Sequence, residues 1–108
     1  MSAKLKRIQD EALKQSLTDA QGSLRDGDYA AVVHRSSDAY VELLRRKPEM
    51  LQGAMGMRHI MFFPRLGAHL IVEGDGLPTV VYDRDKFTFA EAVTYWEFAV
   101  DSIAREGL

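Results

Sequence analysis

Three histidines are the residues of this chain best suited to acid–base chemistry. His34, His59 and His69 stand apart from one another in the sequence. Imidazole titrates near neutral pH, so a histidine beside a carboxylate can take up and release a proton during a reaction. Glu73 or Asp83 would supply that carboxylate if the fold brought either one to His69. No spacing supports such a pair, and a histidine that only binds backbone atoms is the simpler interpretation.

Acidic residues are the second group that could carry chemistry. Four of them lie around one predicted hairpin: Glu73, Asp75, Asp83 and Asp85. Hard cations such as Ca²⁺ need several oxygen ligands from one rigid loop. An EF-hand loop starting at Asp83 would require Gly at its sixth position and Glu at its twelfth, where this chain has Thr88 and Thr94. We therefore predict a solvated hairpin end, with no metal site and no cofactor.

Composition excludes several further kinds of chemistry. The 108 residues include no cysteine, which excludes disulfides, thiol catalysis and thiolate metal sites. The chain has no nucleophile elbow, phosphate-binding loop, dinucleotide fingerprint or His-Glu-x-x-His motif. A net charge of −2 gives no overall positive field that would attract nucleic acid. The sequence thus assigns no catalytic residue and favours a non-enzymatic role.

Targeting and membrane signals are also missing from the sequence. The basic start of the chain is not followed by an apolar segment of about 7–15 residues, as a secretory signal would require. No apolar run approaches the roughly 18 residues that span a bilayer. By elimination we predict a cytoplasmic protein without a membrane partner.

Two long helices are predicted in the first half of the chain. Apolar residues recur at three- and four-residue steps over residues 3–24 and again over residues 29–46. Gly27 suits the left-handed position after a helix, and Asp28 is a good N-cap for the next one. The short joint predicts an antiparallel helical hairpin over residues 3–47.

The middle of the chain changes its hydrophobic period. Methionine-rich residues 49–68 predict a short third helix, and a strand over residues 59–63 is the alternative. The β-branched runs 70–72 and 79–82, separated by turn residues, predict a β-hairpin. The methionines either fill gaps in the core or line a pocket for an apolar ligand.

The last predicted helix carries the widest apolar surface. Thr88 and Glu91 form a capping box at its start, and the helix is expected to run to about residue 104. One apolar face contains Phe89, Val93 and Trp96, and Tyr95 with Phe98 makes part of a second face. We expect a single packing partner to leave part of this surface uncovered. A candidate self-association interface is therefore assigned to Tyr95, Phe98 and Ser102, and we predict a homodimer.

Two segments resemble known helical domains. Leu24–Val33 contains Gly-Asp-Tyr between two amphipathic stretches, and it is followed by Ala39–Leu44 and Pro48. This pattern resembles tetratricopeptide-like hairpins and the opening of HEPN (higher-eukaryote/prokaryote nucleotide-binding) bundles, whose later helix is similar to Phe87–Val93. The resemblance implies a helical interaction module, often dimeric and bound to other proteins.

Many HEPN proteins are ribonucleases that use an arginine followed, after four to six residues, by a histidine. Arg65 and His69 are the nearest match in this chain, with only three residues between them. The β-hairpin is a further departure from a plain HEPN bundle.

The sequence as a whole predicts one mainly α-helical domain over residues 1–108. It is a helical bundle with an N-terminal antiparallel hairpin, a β-hairpin insertion and a long C-terminal helix. We expect a non-enzymatic module for protein–protein interaction or self-association. The alternatives are a small HEPN-like ribonuclease or hydrolase using His59 or His69 with a carboxylate, and a protein that binds an apolar small ligand.

Overall fold

The computed structural model describes residues 3–50, 59–61, 68–72, 78–82 and 84–108, with only the backbone for residues 59–61, 68–72 and 78. These residues are mainly helical, as predicted. The elements in chain order are α1 (Ala3–Arg7), α2 (Glu11–Arg25), α3 (Tyr29–Arg46), β1 (His59–Met61), β2 (Ala68–Val72), β3 (Pro78–Tyr82) and α4 (Phe89–Arg105).

The chain divides into two compact units. The helical unit comprises Met1–Tyr40 and Lys86–Leu108, and the sheet unit comprises Val41–Asp85. The division falls inside α3. That the whole chain is one domain stays a prediction.

The helix predicted over residues 3–24 is in fact two helices, α1 and α2. Asp10 starts α2 as an N-cap, and its Oδ1 accepts a hydrogen bond from the backbone N–H of Leu13 at 3.0 Å. Aspartate caps a helix well because it satisfies an N–H that has no partner inside the helix. The apolar spacing continues through this cap without a break, so it predicted a single helix, and that prediction was wrong.

The C-terminal end of the chain holds the joint between α1 and α2. The carbonyl oxygen of Leu108 accepts hydrogen bonds from the backbone N–H groups of Gln9 at 2.5 Å and Asp10 at 2.6 Å. Ile8 in the same joint is 2% exposed. The two hydrogen bonds to Leu108 join residues that are far apart in the sequence, so hydrophobic periodicity does not predict them.

The turn between α2 and α3 is confirmed in detail. Gly27 has φ +80°, and its N–H bonds to the Leu24 carbonyl while the Asp28 N–H bonds to that of Ser23. These two bonds form a Schellman motif, in which glycine tolerates the left-handed conformation. The carboxylate of Asp28 then accepts from the N–H of Ala31 at 3.2 Å.

Helix α4 is the central element of the helical unit. Its capping box is confirmed, with Thr88 Oγ1 accepting from the Glu91 N–H at 3.1 Å and the Glu91 carboxylate accepting from the Thr88 N–H at 2.9 Å. Helices α1 and α2 both pack against α4. The buried apolar residues of this unit are Leu5, Ile8, Leu13, Leu17, Ala20, Val32, Val33, Ala39, Phe87, Ala92, Tyr95, Trp96, Ala99, Val100 and Ile103.

The sheet unit contains a three-stranded antiparallel sheet in the order β1-β2-β3. The predicted hairpin is present as β2 and β3. Residues 59–61 form a strand, so the alternative of a strand there is confirmed and the helix prediction is wrong at these positions. A three-residue run is too short for its period to separate strand from helix. The rest of the predicted third helix lies outside the described residues, apart from Glu49 and Met50, which belong to a short 3₁₀ turn.

Within the part of the chain that the structure describes, no helix is both long enough and apolar enough to cross a membrane.

Candidate functional site

The residues assigned to a self-association interface lie mostly inside the chain. Tyr95 is 1% exposed and Ser102 is 4% exposed. Phe98 is half-buried, and its ring centroid lies 5.0 Å from that of Tyr40. The expectation that Tyr95 is left uncovered was therefore wrong, because Tyr95 packs inside its own chain, with its ring centroid 5.9 Å from that of Phe87. The width of the α4 apolar surface no longer argues for an interface at these residues.

A groove remains open on another part of α4. It has a volume of about 520 Å³ and is lined by residues of α1, α2 and α4: Lys4, Gln21, Leu24, Val93, Trp96, Glu97 and Asp101. We call this depression the α4 groove. Leu24 and Val93 are half-buried, and they present apolar surface to solvent.

Trp96 forms the fixed part of the α4 groove. It is 5% exposed, and its Nε1–H donates a hydrogen bond to the backbone carbonyl of Leu17 at 2.8 Å in the core. A buried indole N–H needs such a partner, and the bond ties α4 to α2. The groove therefore has a rigid wall built by the fold itself.

Charged residues surround the apolar part of the α4 groove. Lys4 Nζ lies 3.1 Å from Asp101 Oδ1, and both side chains are about half exposed. Glu97 is exposed. An apolar centre with a polar, solvated rim is the usual anatomy of a protein–protein contact surface.

An exposed aromatic residue extends this surface. Phe89 is 54% exposed, and its ring meets that of Tyr29 edge-on, with centroids 5.9 Å apart. Val93 follows Phe89 by four residues, so the two lie on the same face of α4. The sequence analysis placed both residues on one apolar face of the last helix. Phe89 is the first residue of its helix, and that position was the available signal that core packing there is incomplete.

A second, smaller cleft carries positive charge. Its volume is about 390 Å³ and its lining residues are Lys4, Arg7, Asp101, Ala104 and Arg105. Arg105 also acts on Tyr40. Burial raises the pKa of the Tyr40 phenol above its usual 10.0, Arg105 opposes this shift, and Glu106 adds to it.

The histidines occupy separate units. His34 is exposed on α3, whereas His59 and His69 are positions on the neighbouring strands β1 and β2. Among the residues that the structure describes, no group of three metal-ligating side chains comes together. The proposed partners Glu73 and Asp83, like Asp75, lie outside those residues.

The methionine-rich segment is described only at its two ends. Met50 is 36% exposed, and Met61 is the last residue of β1. Met55 and Met57 lie outside the described residues. A pocket for an apolar ligand in this segment stays a prediction.

No protein-family model, no curated protein and no solved structure matches this chain. The resemblance to tetratricopeptide-like and HEPN-like hairpins thus stays a prediction, and the chemistry of the chain is argued from its own residues.

Proposed function

We propose that this protein is a non-enzymatic interaction module that pairs with a second copy of itself through the α4 groove and Phe89. The proposal is supported by the 54% exposure of Phe89 on the same helix as the α4 groove, four residues before Val93 of that groove. A large aromatic residue exposed on such a surface is typical of a binding hot spot.

A second copy fits this surface because the surface is self-complementary. It carries both a protruding ring, Phe89, and the depression lined by Leu24 and Val93 that such a ring can fill. A two-fold dimer uses the same patch on both chains, so each ring enters the groove of the other chain.

Charge favours the same arrangement. The groove rim bears Lys4 together with the acidic Glu97 and Asp101. A rim that carries both signs allows the cation of one copy to lie near a carboxylate of the other copy.

Sedimentation equilibrium over a concentration series tests the proposal. We expect a mass of twice 12.2 kDa at high concentration and dissociation on dilution. Phe89→Ser should weaken the dimer about 30-fold, because burying the exposed half of two phenyl rings contributes roughly 2 kcal/mol. Serine is tolerated near a helix start, so the variant should fold.

Met50→Ser is the matched control. Met50 is also an exposed apolar residue, at 36%, but it does not line the α4 groove. The same substitution there should leave the dimer constant unchanged. A single 12.2 kDa species at every concentration, or equal weakening by the two variants, would contradict the proposal.

A further inference from the structure

The rim of the α4 groove has more negative than positive charge. Among the described residues that line the groove, Glu97 and Asp101 are acidic and Lys4 is the one cation. The Lys4 ammonium is paired with Asp101 at 3.1 Å. Glu97 is exposed, and it takes part in no ion pair within the described part of the chain. The rim therefore presents an unpaired carboxylate beside the apolar centre of the groove.

A lysine without an ion pair lies just before the exposed ring of Phe89. Lys86 is exposed and precedes Phe89 by three residues, in the segment that leads into α4. Like Glu97, it forms no ion pair with any residue that the structure describes. It belongs to the helical unit, as α4 does. The surface that presents the Phe89 ring thus also presents a positive charge.

Two-fold pairing determines which residues of the two copies meet. A two-fold axis across α4 makes the two α4 helices run in opposite directions. When Phe89 of one copy lies against Val93 of the other, a step back from Phe89 to Lys86 corresponds to a step forward from Val93 to Glu97. Four helical residues span about 6 Å, and three residues before a helix span at most about 10 Å. Lys86 therefore reaches Glu97 of the other copy.

We propose that Lys86 of each copy forms an ion pair with Glu97 of the other copy, and that the two pairs fix the orientation of the dimer. This inference rests on the proposed self-association through the α4 groove. Burial of the Phe89 ring supplies most of the affinity, because an ion pair between exposed groups contributes little. Charges at such a rim chiefly select the partner and its register.

Reversing the two charges tests the proposed ion pair by sedimentation equilibrium. Lys86→Glu and Glu97→Lys each bring like charges together at both contacts of the dimer, so we expect each variant to weaken it about tenfold at low salt. In an equal mixture of the two variants, opposite charges meet at both contacts of the mixed dimer. The mixed dimer should therefore recover the dissociation constant of the unaltered dimer, and so should a chain that carries both changes.

Lys6→Glu is the matched control. Lys6 is an exposed lysine of α1 outside the lining of the α4 groove, and the substitution changes the net charge as Lys86→Glu does. It should leave the dissociation constant nearly unchanged. The ion pair is overturned, and the dimer retained, if Phe89→Ser weakens the dimer but the Lys86 and Glu97 variants act no more strongly than this control. It is also overturned if the mixture remains as weak as either variant alone.

A salt series on the unaltered chain requires no variant to fold. Salt screens exposed charges, with a Debye length of about 10 Å at 0.1 M and about 3 Å at 1 M. We expect the dimer to weaken severalfold between these concentrations of sodium chloride, and a constant that does not weaken overturns the ion pair. A chain that is monomeric at every protein and salt concentration overturns the proposed self-association and the ion pair together.

Discussion

Two buried serines lie in the middle of α3. Ser36 is 1% exposed and Ser37 is 2% exposed, and neither hydroxyl has a hydrogen-bond partner among the described residues. A buried hydroxyl that makes no bond loses its hydration without compensation. We infer that these two positions need a small side chain and do not need a polar one.

Replacing either hydroxyl by hydrogen should therefore not destabilise the protein. We expect Ser36→Ala and Ser37→Ala to leave the free energy of unfolding unchanged or to raise it by up to about 1 kcal/mol, since alanine also favours helix. Urea unfolding measures this. Ser23→Ala is the control, because its hydroxyl bonds the Asp19 carbonyl at 3.4 Å on the surface. A loss above about 1 kcal/mol at Ser36 would show that its hydroxyl has a partner.

The phenol of Tyr40 makes the stability of the protein depend on pH. Its pKa is raised above 10.0, first by burial and further by Glu106, against the effect of Arg105. The neutral phenol is thus favoured in the folded state. This contribution to stability is fully present below pH 10 and is lost as the pH rises through the folded-state pKa, because the unfolded chain releases the proton first.

NMR titration of labelled tyrosine tests this assignment. We expect Tyr40 to titrate above 10.0, Arg105→Gln to raise its pKa further, and Glu106→Gln to lower it. Arg25→Gln, a change in the last turn of α2, should have no effect. The alkaline decrease in stability should be smaller in Tyr40→Phe. A Tyr40 pKa at or below 10.0 would show that burial does not control it.

At the scale of elements, the capping box of α4 is the clearest case of local sequence deciding local structure. Thr88→Ala removes an acceptor for the Glu91 N–H and should cost about 1 kcal/mol of unfolding free energy. Thr94→Ala is matched to it, because Thr94 lies inside the same helix and its hydroxyl donates a hydrogen bond to the Ala90 carbonyl at 2.9 Å. That change should be neutral or slightly stabilising. Equal losses in the two variants would mean that the box contributes nothing.

Elements with strong local signals could be predicted from the sequence, and those that depend on distant contacts could not. The Gly27 turn, α3, the β2–β3 hairpin and α4 each have caps or a clear period of their own. The break before α2 has the Asp10 cap, but the apolar period continues through it, and the strand β1 has neither a cap nor a clear period. The break coincides with hydrogen bonds that the Gln9 and Asp10 N–H groups donate to the Leu108 carbonyl, and β1 is defined by pairing with β2. Both sets of contacts require the folded chain.

The candidate site shows the same limit. Apolar periodicity identified which residues of α4 avoid water, but it could not say how much of each the neighbouring helices cover. Tyr95 was therefore assigned to an interface although it is buried, and Phe89, which was placed on the same apolar face as Trp96, is half exposed. The placement of His59 and His69 on neighbouring strands depends on strand pairing, which their isolated positions in the sequence do not reveal.

At the scale of the whole molecule, the proposed dimer forms through one exposed surface. The α4 groove and Phe89 lie within the helical unit, on helices that hold each other through the Trp96–Leu17 bond and the Lys4–Asp101 ion pair. Rigid elements of this kind present a binding surface with little loss of conformational entropy on association. Self-association should therefore leave the fold of the helical unit unchanged.

Isotope-filtered NMR on a mixture of labelled and unlabelled chains examines the proposed dimer interface, because it detects only contacts between copies. We predict contacts from the Phe89 ring of one chain to the Leu24 and Val93 methyl groups of the other. The proposed dimer would be contradicted by contacts between copies that involve other surfaces and omit Phe89. It would also be contradicted by a complete absence of such contacts at the concentrations where a dimer is expected.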